Sequence, residues 1–433
     1  MEGFHEDIRS KILPRVPVES VFHKMEDFNE DIQSKILSLV PVEYVLNCKL
    51  VCKRWRQLLS DRKVSLGIFF TFSCSPEPII QLYYADYDVI KSTKPKEENF
   101  YKTEITKINL PPLKEERQGQ VIVGSCNGLV CLALPCKGVR DPVYICNPLT
   151  SEYVILPRIS NDRSWGKSWD IVSGFGYIPS TDEYKVVRIL CPADRFGDPS
   201  STTKEQVSTT KGSQVQVYTL GRGSGTGWRN ITETEYSLLN EGILANDSLY
   251  WKNDKNKKIV AFGLADESFR ELPPLPPCFQ FPRYDERRVV YLTTLGGHLC
   301  LVDHAEDDCV DIWSFKKNRN QVNKSNYEVI EHDYYHDWSW SKDFSVEWEK
   351  DGEFLEPFAL TKNNQVLIWS GSALKSYDPI TKSLNLIIER EPFLKTFGGI
   401  LHMNSLVSLK DLGVASKTWA GWVSKKTQPS QEE

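Results

Sequence analysis

The sequence lacks the features that would place it in a membrane or on the secretory route. No run of residues approaches the roughly 20 apolar positions that a membrane-spanning helix needs. The first residues include Glu2, Glu6, Asp7 and Arg9, where a secretory signal would be apolar. We therefore expect an intracellular protein, in the cytoplasm, the nucleus or both.

The sequence also lacks an excess of either charge. It contains 53 Lys and Arg residues against 58 Asp and Glu, which gives a net charge of -5. A chain with that balance has no overall attraction to nucleic acid or to an anionic membrane surface. The basic residues Lys53, Arg54 and Arg56 are predicted to form a solvated helix face, because no aromatic stacking platform accompanies them.

Signatures of common enzymes are missing as well. The chain has no Gly-rich phosphate loop, no G-x-S-x-G elbow and no H-E-x-x-H motif. His332 and His336 lie four apart beside acidic residues, so a metal site or a proton relay there is an alternative to simple aromatic packing. We predict no cofactor and no catalytic residue.

The 11 cysteines do not form a recognisable framework. In an intracellular protein they are predicted to be reduced thiols that fill core positions. Cys126, Cys131 and Cys136 lie five apart rather than in the C-x2-C spacing that structural zinc favours, and Cys48 and Cys52 lie four apart. Metal binding at either group is the minor alternative.

A tandem duplication is present at the N-terminus. Residues 1–24 align with residues 25–48 without a gap and are identical at 15 of 24 positions. The second copy continues into a run that has no counterpart in the first copy, Val51 to Leu58. Residues 1–24 are therefore predicted to be a loosely ordered partial duplicate.

Three short amphipathic helices are predicted between residues 28 and 61. Asn29 is a suitable N-cap for the first helix, whose apolar residues include Ile36 and Leu37. Pro41 suits the first turn of the second helix. Trp55 and Leu58 lie on the apolar side of the third helix. About 35 residues cannot bury enough surface to be stable alone, so part of this apolar surface is expected to meet another protein.

The rest of the chain has the pattern of an all-β domain. An apolar strand, a turn rich in Pro, Thr and Asp, and a second strand recur four times, over 143–153, 175–184, 259–269 and 374–384. Many short hairpins after a helical module indicate an irregular β-propeller of about six to eight blades. A pair of β-sandwiches is the structural alternative.

These patterns give a set of domain boundaries. The helical module is assigned to residues 25–65 and the β domain to residues 66–423, with a polar tail over 424–433. Residues 198–227 are rich in Ser, Thr, Gly and Lys and are predicted to be a long flexible loop within the β domain.

The helical module resembles the F-box, which docks on Skp-family adaptors of cullin–RING ubiquitin ligases. The resemblance rests on Val51-Cys52-Lys53-Arg54-Trp55-Arg56-Gln57-Leu58, preceded by Ile36-Leu37 and Val40-Pro41. Phe28-Asn29 stands where the family commonly has Leu-Pro. The resemblance implies that the following residues bind the adaptor: Phe28, Ile32, Ile36, Leu37, Val40, Pro41, Leu46, Val51, Cys52, Trp55 and Leu58.

The β domain resembles the F-box-associated, kelch-like region of plant F-box proteins. The similar sequence segments include Gly124-Ser125-Cys126-Asn127-Gly128-Leu129, Tyr144-Ile145-Cys146-Asn147-Pro148, and Tyr377-Asp378-Pro379. The resemblance implies a plant source and a non-catalytic receptor that recruits a protein substrate for ubiquitination. Its partners would be the adaptor and, through the adaptor, cullin and RING subunits.

The dense aromatic segment 331–340 is the candidate for target binding. Tyr and Trp are common at interface hot spots, which selects Tyr334, Tyr335, Trp338 and Trp340. Packing within the β domain is the alternative for the same side chains. A stand-alone propeller enzyme or binding protein, with the helices as a cap, is the alternative function for the whole chain.

The partial duplicate gives a testable prediction. Residues 1–24 lack a counterpart of the Trp-bearing helix, and Pro14 replaces Ser38 late in the first helix. Deleting residues 1–24 should therefore leave the affinity for a Skp-family adaptor within about tenfold, or 1.4 kcal/mol, by calorimetry. A larger loss would show that the first copy supplies an adaptor contact.

Overall fold

The computed structural model describes two helices and most of a β domain. The described ranges are residues 29–38, 53–58, 66–74, 80–87, 105–108, 121–136, 139–159, 169–192, 212–221, 223, 225, 227–253, 257–276, 279, 289–304, 309–318, 335, 337–347, 354–361, 363–371, 373–388 and 394–418. Within these ranges, no helix has the length and apolar character that crossing a bilayer requires. The partial duplicate and the polar tail lie outside them, and both stay predictions.

Two helices belong to the N-terminal module. Helix α1 spans Glu30–Ser38 and helix α2 spans Lys53–Leu58. The Asn29 side chain caps α1, because its Oδ1 accepts the Ile32 N–H at 2.9 Å. The N-cap predicted from the sequence is therefore confirmed. The predicted helix after Pro41 falls outside the described residues.

The described strands form six sheets, which are the blades of a β-propeller. Each blade is an antiparallel meander, ordered below from the innermost strand outward. Blade 1 contains β24 (Leu394–Met403), β1 (Leu66–Cys74), β2 (Ile80–Asp86) and β3 (Ile105–Lys107). Blade 2 contains β4 (Val121–Cys126), β5 (Leu129–Cys136), β6 (Val139–Asn147), β7 (Glu152–Ile155) and β25 (Lys417–Thr418). Blade 3 contains β8 (Trp169–Ile178), β9 (Glu183–Pro192), β10 (Ser213–Leu220) and β11 (Arg229–Thr234).

The remaining blades follow the same order. Blade 4 contains β12 (Leu238–Ala245), β13 (Ser248–Asn253), β14 (Ile259–Gly263) and β15 (Phe269–Glu271). Blade 5 contains β16 (Val289–Leu295), β17 (His298–His304), β18 (Cys309–Lys317) and β19 (Trp338–Glu347). Blade 6 contains β20 (Leu355–Leu360), β21 (Val366–Ser370), β22 (Ala373–Asp378) and β23 (Ser383–Ile388). The predicted propeller is confirmed, and the predicted range of blade number includes the observed six.

The ring of blades is closed by pairing the two ends of the domain. Each innermost strand contacts the innermost strands of the two neighbouring blades, in the order β24, β4, β8, β12, β16, β20 and back to β24. Blade 1 itself is composite, because β24 from the C-terminal end pairs with β1 from the N-terminal end, from Leu66 opposite Met403 to Cys74 opposite Leu394. The ring therefore closes only when the last long strand has been added.

The meander gives the propeller two different faces. One face, which we call the turn face, carries the connections between the first and second strands, such as 127–128, 246–247 and 296–297. The opposite face, the loop face, carries the connections between second and third strands and between blades. The connections 108–120, 156–168, 193–212 and 272–288 all join strands at the loop face.

The four hairpins predicted from the sequence are all present. They are β6–β7, β8–β9, β14–β15 and β22–β23. The last connecting residue has positive φ in three hairpins (Ser151, Asp182 and Lys382), as does the next-to-last residue Glu267 in the fourth, all at 54–56°. Asn147 and Asp378 stabilise their turns by accepting two backbone N–H groups through Oδ1. All four turns lie on the turn face.

The core is divided among the interfaces between blades. Two tryptophans on second strands, Trp251 and Trp369, press against glycines of the neighbouring inner strands. A Cβ atom added at Gly174 of blade 3 would lie 3.1 Å from the Trp251 ring of blade 4, and one added at Gly399 of blade 1 would overlap the Trp369 indole of blade 6. Glycine at these points lets the inner strands approach the indoles closely enough for the circle of six blades to close.

A buried ion pair joins blades 2 and 3. The guanidinium of Arg188 contacts Asp141 Oδ1 at 2.8 Å, and both side chains are buried. Arg188 Nε also donates to Gln216 Oε1, and its guanidinium lies 3.8 Å from the Trp228 ring centroid. A charge this well buried needs all of these partners, so the pair fixes the relative position of the two blades.

The segment after β24, residues 404–416, crosses the turn face as a C-terminal strap. Asn147 Nδ2 donates to the carbonyls of Ser405 and Val407, at 3.0 and 2.7 Å. Glu152 accepts the Ser408 hydroxyl at 2.9 Å and the Leu409 N–H at 2.8 Å. Beyond the strap, β25 pairs with β7. The strap therefore fastens the closing strand of blade 1 to the turns of blade 2.

The prediction of a flexible loop over residues 198–227 is wrong for residues 213–220. Strand β10 occupies 213–220, pairs with β9 and β11, and buries Val215 and Val217. The Ser, Thr and Gly content of the segment obscured a short stretch in which Gln and Val alternate. Residues 198–211 lie outside the described residues.

The strap contacts predict a specific loss of stability. Replacing Glu152 with Ala removes both acceptors and leaves the Leu409 N–H without its partner, so the free energy of unfolding should fall by about 1–3 kcal/mol. Glu183→Ala is the matched control, because Glu183 also begins a strand after such a turn and accepts only the hydroxyl of its own turn residue Thr181 among the described groups. Equal losses in urea denaturation of the two variants would contradict the role given to the strap.

Candidate functional site

The two described helices contact each other and bury two of the predicted adaptor-binding residues. Leu37 of α1 and Trp55 of α2 are almost fully buried. Trp55 is thus a core residue of the helical module, and its burial explains why the pattern places it on the apolar side of its helix.

Other predicted adaptor-binding residues remain accessible. Ile32 on α1 is 41% exposed, and Ile36 and Leu58 are half-buried. An exposed isoleucine on a short helix is apolar surface available to a partner. The remaining candidates lie outside the described residues: Phe28, Val40, Pro41, Leu46, Val51 and Cys52.

The helical module is joined to the propeller at the turn face. Helix α2 ends at Leu58, and β1 begins at Leu66, which pairs with Met403 where β24 reaches the turn face. The chain therefore enters the propeller on the face that also carries the connections 87–104 and 318–337, opposite to the connections 108–120, 156–168, 193–212 and 272–288.

The aromatic candidates for target binding pack within blade 5. Tyr335 is buried, and the ring of Phe315 lies 5.5 Å from Tyr335, 5.3 Å from Trp338 and 5.1 Å from Trp340. Trp338 and Trp340 belong to strand β19 and are half-buried, and Tyr334 lies outside the described residues. The structure therefore assigns packing, the alternative weighed above, to the described members of this set.

The two-residue spacing of Trp338 and Trp340 is the sequence signal that indicates packing on one face of a strand rather than exposure at a binding surface. Trp338 and Trp340 are two residues apart, which puts both side chains on one face of a strand. Phe315 on the adjacent strand β18 lies directly opposite Trp340, so the three rings share that face. The aromatic composition of residues 331–340 predicts a binding surface, whereas the period of two indicates a strand.

The connections that overlap the predicted loop 198–227 and the aromatic segment 331–340 lie on different faces. The connection between β9 and β10, residues 193–212, joins strands at the loop face. The connection between β18 and β19, residues 318–337, joins strands at the turn face. They therefore belong to two separate surfaces of the propeller.

One serine–histidine pair raises the question of catalysis. Ser125 Oγ lies 2.8 Å from His402 Nδ1 at the contact between β4 and β24. His402 is completely buried beside Phe69, and burial lowers the pKa of its imidazole to about 3. No carboxylate of the described residues bonds to this histidine. A buried base without an orienting acid cannot serve a substrate from solution, so the pair is a packing contact.

The cysteines have the character of core residues. Cys131 and Cys146 are buried, and burial raises the pKa of the Cys146 thiol to about 12 and the pKa of Cys131 well above its usual value. Zinc binds the thiolate form, which burial disfavours here. In the described part of the chain, no three potential ligands are grouped around one point. Cys48, Cys52, His332 and His336 lie outside the described residues.

Comparison with known proteins identifies both parts of the chain. Residues 80–368 match the family described as the F-box associated beta propeller domain, and residues 12–65 match the F-box domain. The F-box protein At3g07870 of Arabidopsis thaliana is 26% identical over 447 residues, which cover 94% of this chain and 92% of that protein. The F-box/kelch-repeat protein At3g23880 of the same plant is 25% identical, covering 64% of this chain and 68% of that protein.

Solved structures resemble the chain more remotely. A chain of a nidogen–laminin complex has a TM-score of 0.39 and 13% identity, covering 79% of this chain and 100% of that chain. The sequence matches, the F-box and the six-bladed propeller agree with one another. The chain therefore belongs to the plant F-box proteins that carry an F-box associated β-propeller domain.

Proposed function

We propose that this protein is the substrate-recognition subunit of a Skp–cullin–F-box ubiquitin ligase. The observation that carries the proposal is the direct connection of an F-box to a closed β-propeller that holds no assembled catalytic group among its described residues. The F-box would dock on the Skp-family adaptor, and cullin and RING subunits would join through the adaptor. Ubiquitin transfer would then be performed by those other subunits, in the cytoplasm or the nucleus.

The helical end supplies a surface suited to the adaptor. Leu37 and Trp55 hold α1 and α2 together, while Ile32 leaves much of its side chain in water. An apolar side chain that is exposed on a folded module gains free energy when a partner covers it, at about 25 cal/mol per Å² of apolar area. The surface around Ile32 is therefore the part of the described helices that we expect the adaptor to cover.

The loop face is the surface that we assign to the target protein. Its connections 108–120, 156–168, 193–212 and 272–288 join described strands of blades 1 to 5 at their loop-face ends. Such connections vary in length and chemistry without disturbing the blades that hold them. Because the F-box enters at the turn face, a target on the loop face would leave the adaptor surface free.

Adaptor docking can be tested separately from folding. Ile32→Glu places a charge on an exposed apolar position, so adaptor affinity in calorimetry should fall at least about tenfold while the helical circular dichroism is unchanged. Trp55→Ala should instead cost roughly 3–5 kcal/mol of stability and unfold the module. Arg54→Ala, on the exposed side of the same helix, is the matched control and should bind normally. Undiminished binding by Trp55→Ala would overturn adaptor docking through this module.

Target choice can be tested by exchanging connections. Replacing residues 193–212 with the equivalent connection of another receptor should change which protein is ubiquitinated in a reconstituted ligase and leave adaptor affinity unchanged. Exchange of residues 318–337, on the turn face, is the matched control and should not change the target. A loss of adaptor affinity with the same target would show that the division between the two faces is wrong, and turnover without other subunits would favour the stand-alone enzyme.

A further inference from the structure

The outer edge of each blade is a strand with one unpaired row of backbone N–H and C=O groups. Such an edge can pair with another chain, and proteins usually block it with charged side chains, short strands or a covering segment. In blade 2 the chain covers its own edge, because β25 pairs with β7 through Lys417 opposite Tyr153 and Thr418 opposite Glu152.

Four other outer strands carry charged residues. The charged residues on these edges are Lys107 on β3, Arg229 and Glu233 on β11, Arg270 and Glu271 on β15, and Lys342, Asp343 and Glu347 on β19. Strands β3 and β15 are also only three residues long. These edges have the usual protection against pairing.

Among the described residues, strand β23 of blade 6 has no charged side chain and no covering segment, although a register shift at Ile387 interrupts its pairing with β22. Its six residues, SLNLII, include no charged side chain, and β23 is the last strand of its sheet. Leu384 is 38% exposed and Leu386 is 43% exposed, and Asn385 between them is exposed as well. The two leucines are two residues apart, so they lie on the same face of the strand.

Lysines border these leucines. Lys375 lies directly opposite Leu386 on β22 and therefore shares its face. Lys375 Nζ donates to Ser370 Oγ at 3.0 Å, and no carboxylate of the described residues pairs with it. The Lys382 side chain, just before β23, is 72% exposed. Its Nζ lies 3.8 Å from Oε1 of the exposed Glu347, which makes a loose surface ion pair. An added strand with apolar side chains and a carboxylate would complement this edge.

We propose that, in addition to the contact at the loop face, β23 binds an extended acidic and apolar segment of the recruited protein as an additional antiparallel or parallel strand. The backbone ladder would provide affinity, and alternate apolar side chains would cover Leu384 and Leu386. A carboxylate of the segment would pair with Lys375 or Lys382. The inference rests on the proposed function, since the segment belongs to the protein brought to the ligase.

A displayed library of random peptides tests this inference on the full chain bound to its adaptor. Peptides selected on the wild-type chain should alternate apolar residues and contain Asp or Glu. Their affinity, measured by fluorescence anisotropy, should fall at least about tenfold for Leu386→Lys, because lysine on an edge strand opposes pairing. Ile380→Lys adds the same charge in the turn of the same hairpin, at a residue that is 88% exposed, and this variant should bind the peptides normally.

A charge reversal and two physical controls complete the experiment. Library selection on Lys382→Glu should favour basic peptides in place of acidic ones. Thermal unfolding of each variant establishes that the propeller is intact, and adaptor affinity measured on the same samples tests the proposed function separately. Peptides that bind wild type and Leu386→Lys equally would overturn the inference. Concentration-dependent dimers in sedimentation that Leu386→Lys abolishes would also overturn it, in favour of self-association.

Discussion

The pairing of β24 with β1 is the interaction on which the rest of this structure depends. It joins residues more than three hundred positions apart in the sequence, and without it blade 1 has no inner strand. The same pairing brings the N-terminal end of β1 and the C-terminal end of β24 to the turn face. The strap then carries the chain from Met403 onto Asn147 and Glu152 of blade 2. Ring closure and the attachment of the helical module are thus consequences of one strand pair.

Closure also explains why the interfaces between blades are so tightly constrained. A ring tolerates little variation in the angle between neighbours, because any error must be absorbed elsewhere. Glycines at the inner strands let Trp251 and Trp369 pack closely, and the buried Arg188–Asp141 pair fixes blades 2 and 3. Lys185 and Glu267 form a similar bridge between blades 3 and 4, with 2.8 Å between their charged atoms. The faces of such a ring can carry different connections without changing the scaffold.

Local signals in the sequence predicted much of this fold. The four hairpins, the Asn29 cap and the propeller class follow from turn chemistry and spacing over a few residues. The closing strand pair, the strap and the Arg188–Asp141 pair could not be predicted, because each joins residues that are distant in sequence. For the site, the apolar pattern selected Leu37 and Trp55 but could not tell which apolar residues are buried and which are exposed, as Ile32 is. Trp338 and Trp340 were predicted to bind a target because the aromatic composition of residues 331–340 outweighed their period of two.

The central claim is that the adaptor and the target use opposite ends of one rigid ring. Amide hydrogen exchange of the full chain, with and without the Skp-family adaptor, tests this most directly because it reports both ends together. The account predicts that the adaptor slows exchange within residues 28–61 and leaves the connections 108–120, 156–168, 193–212 and 272–288 unchanged. Slower exchange in those loop-face connections on adaptor binding would contradict it.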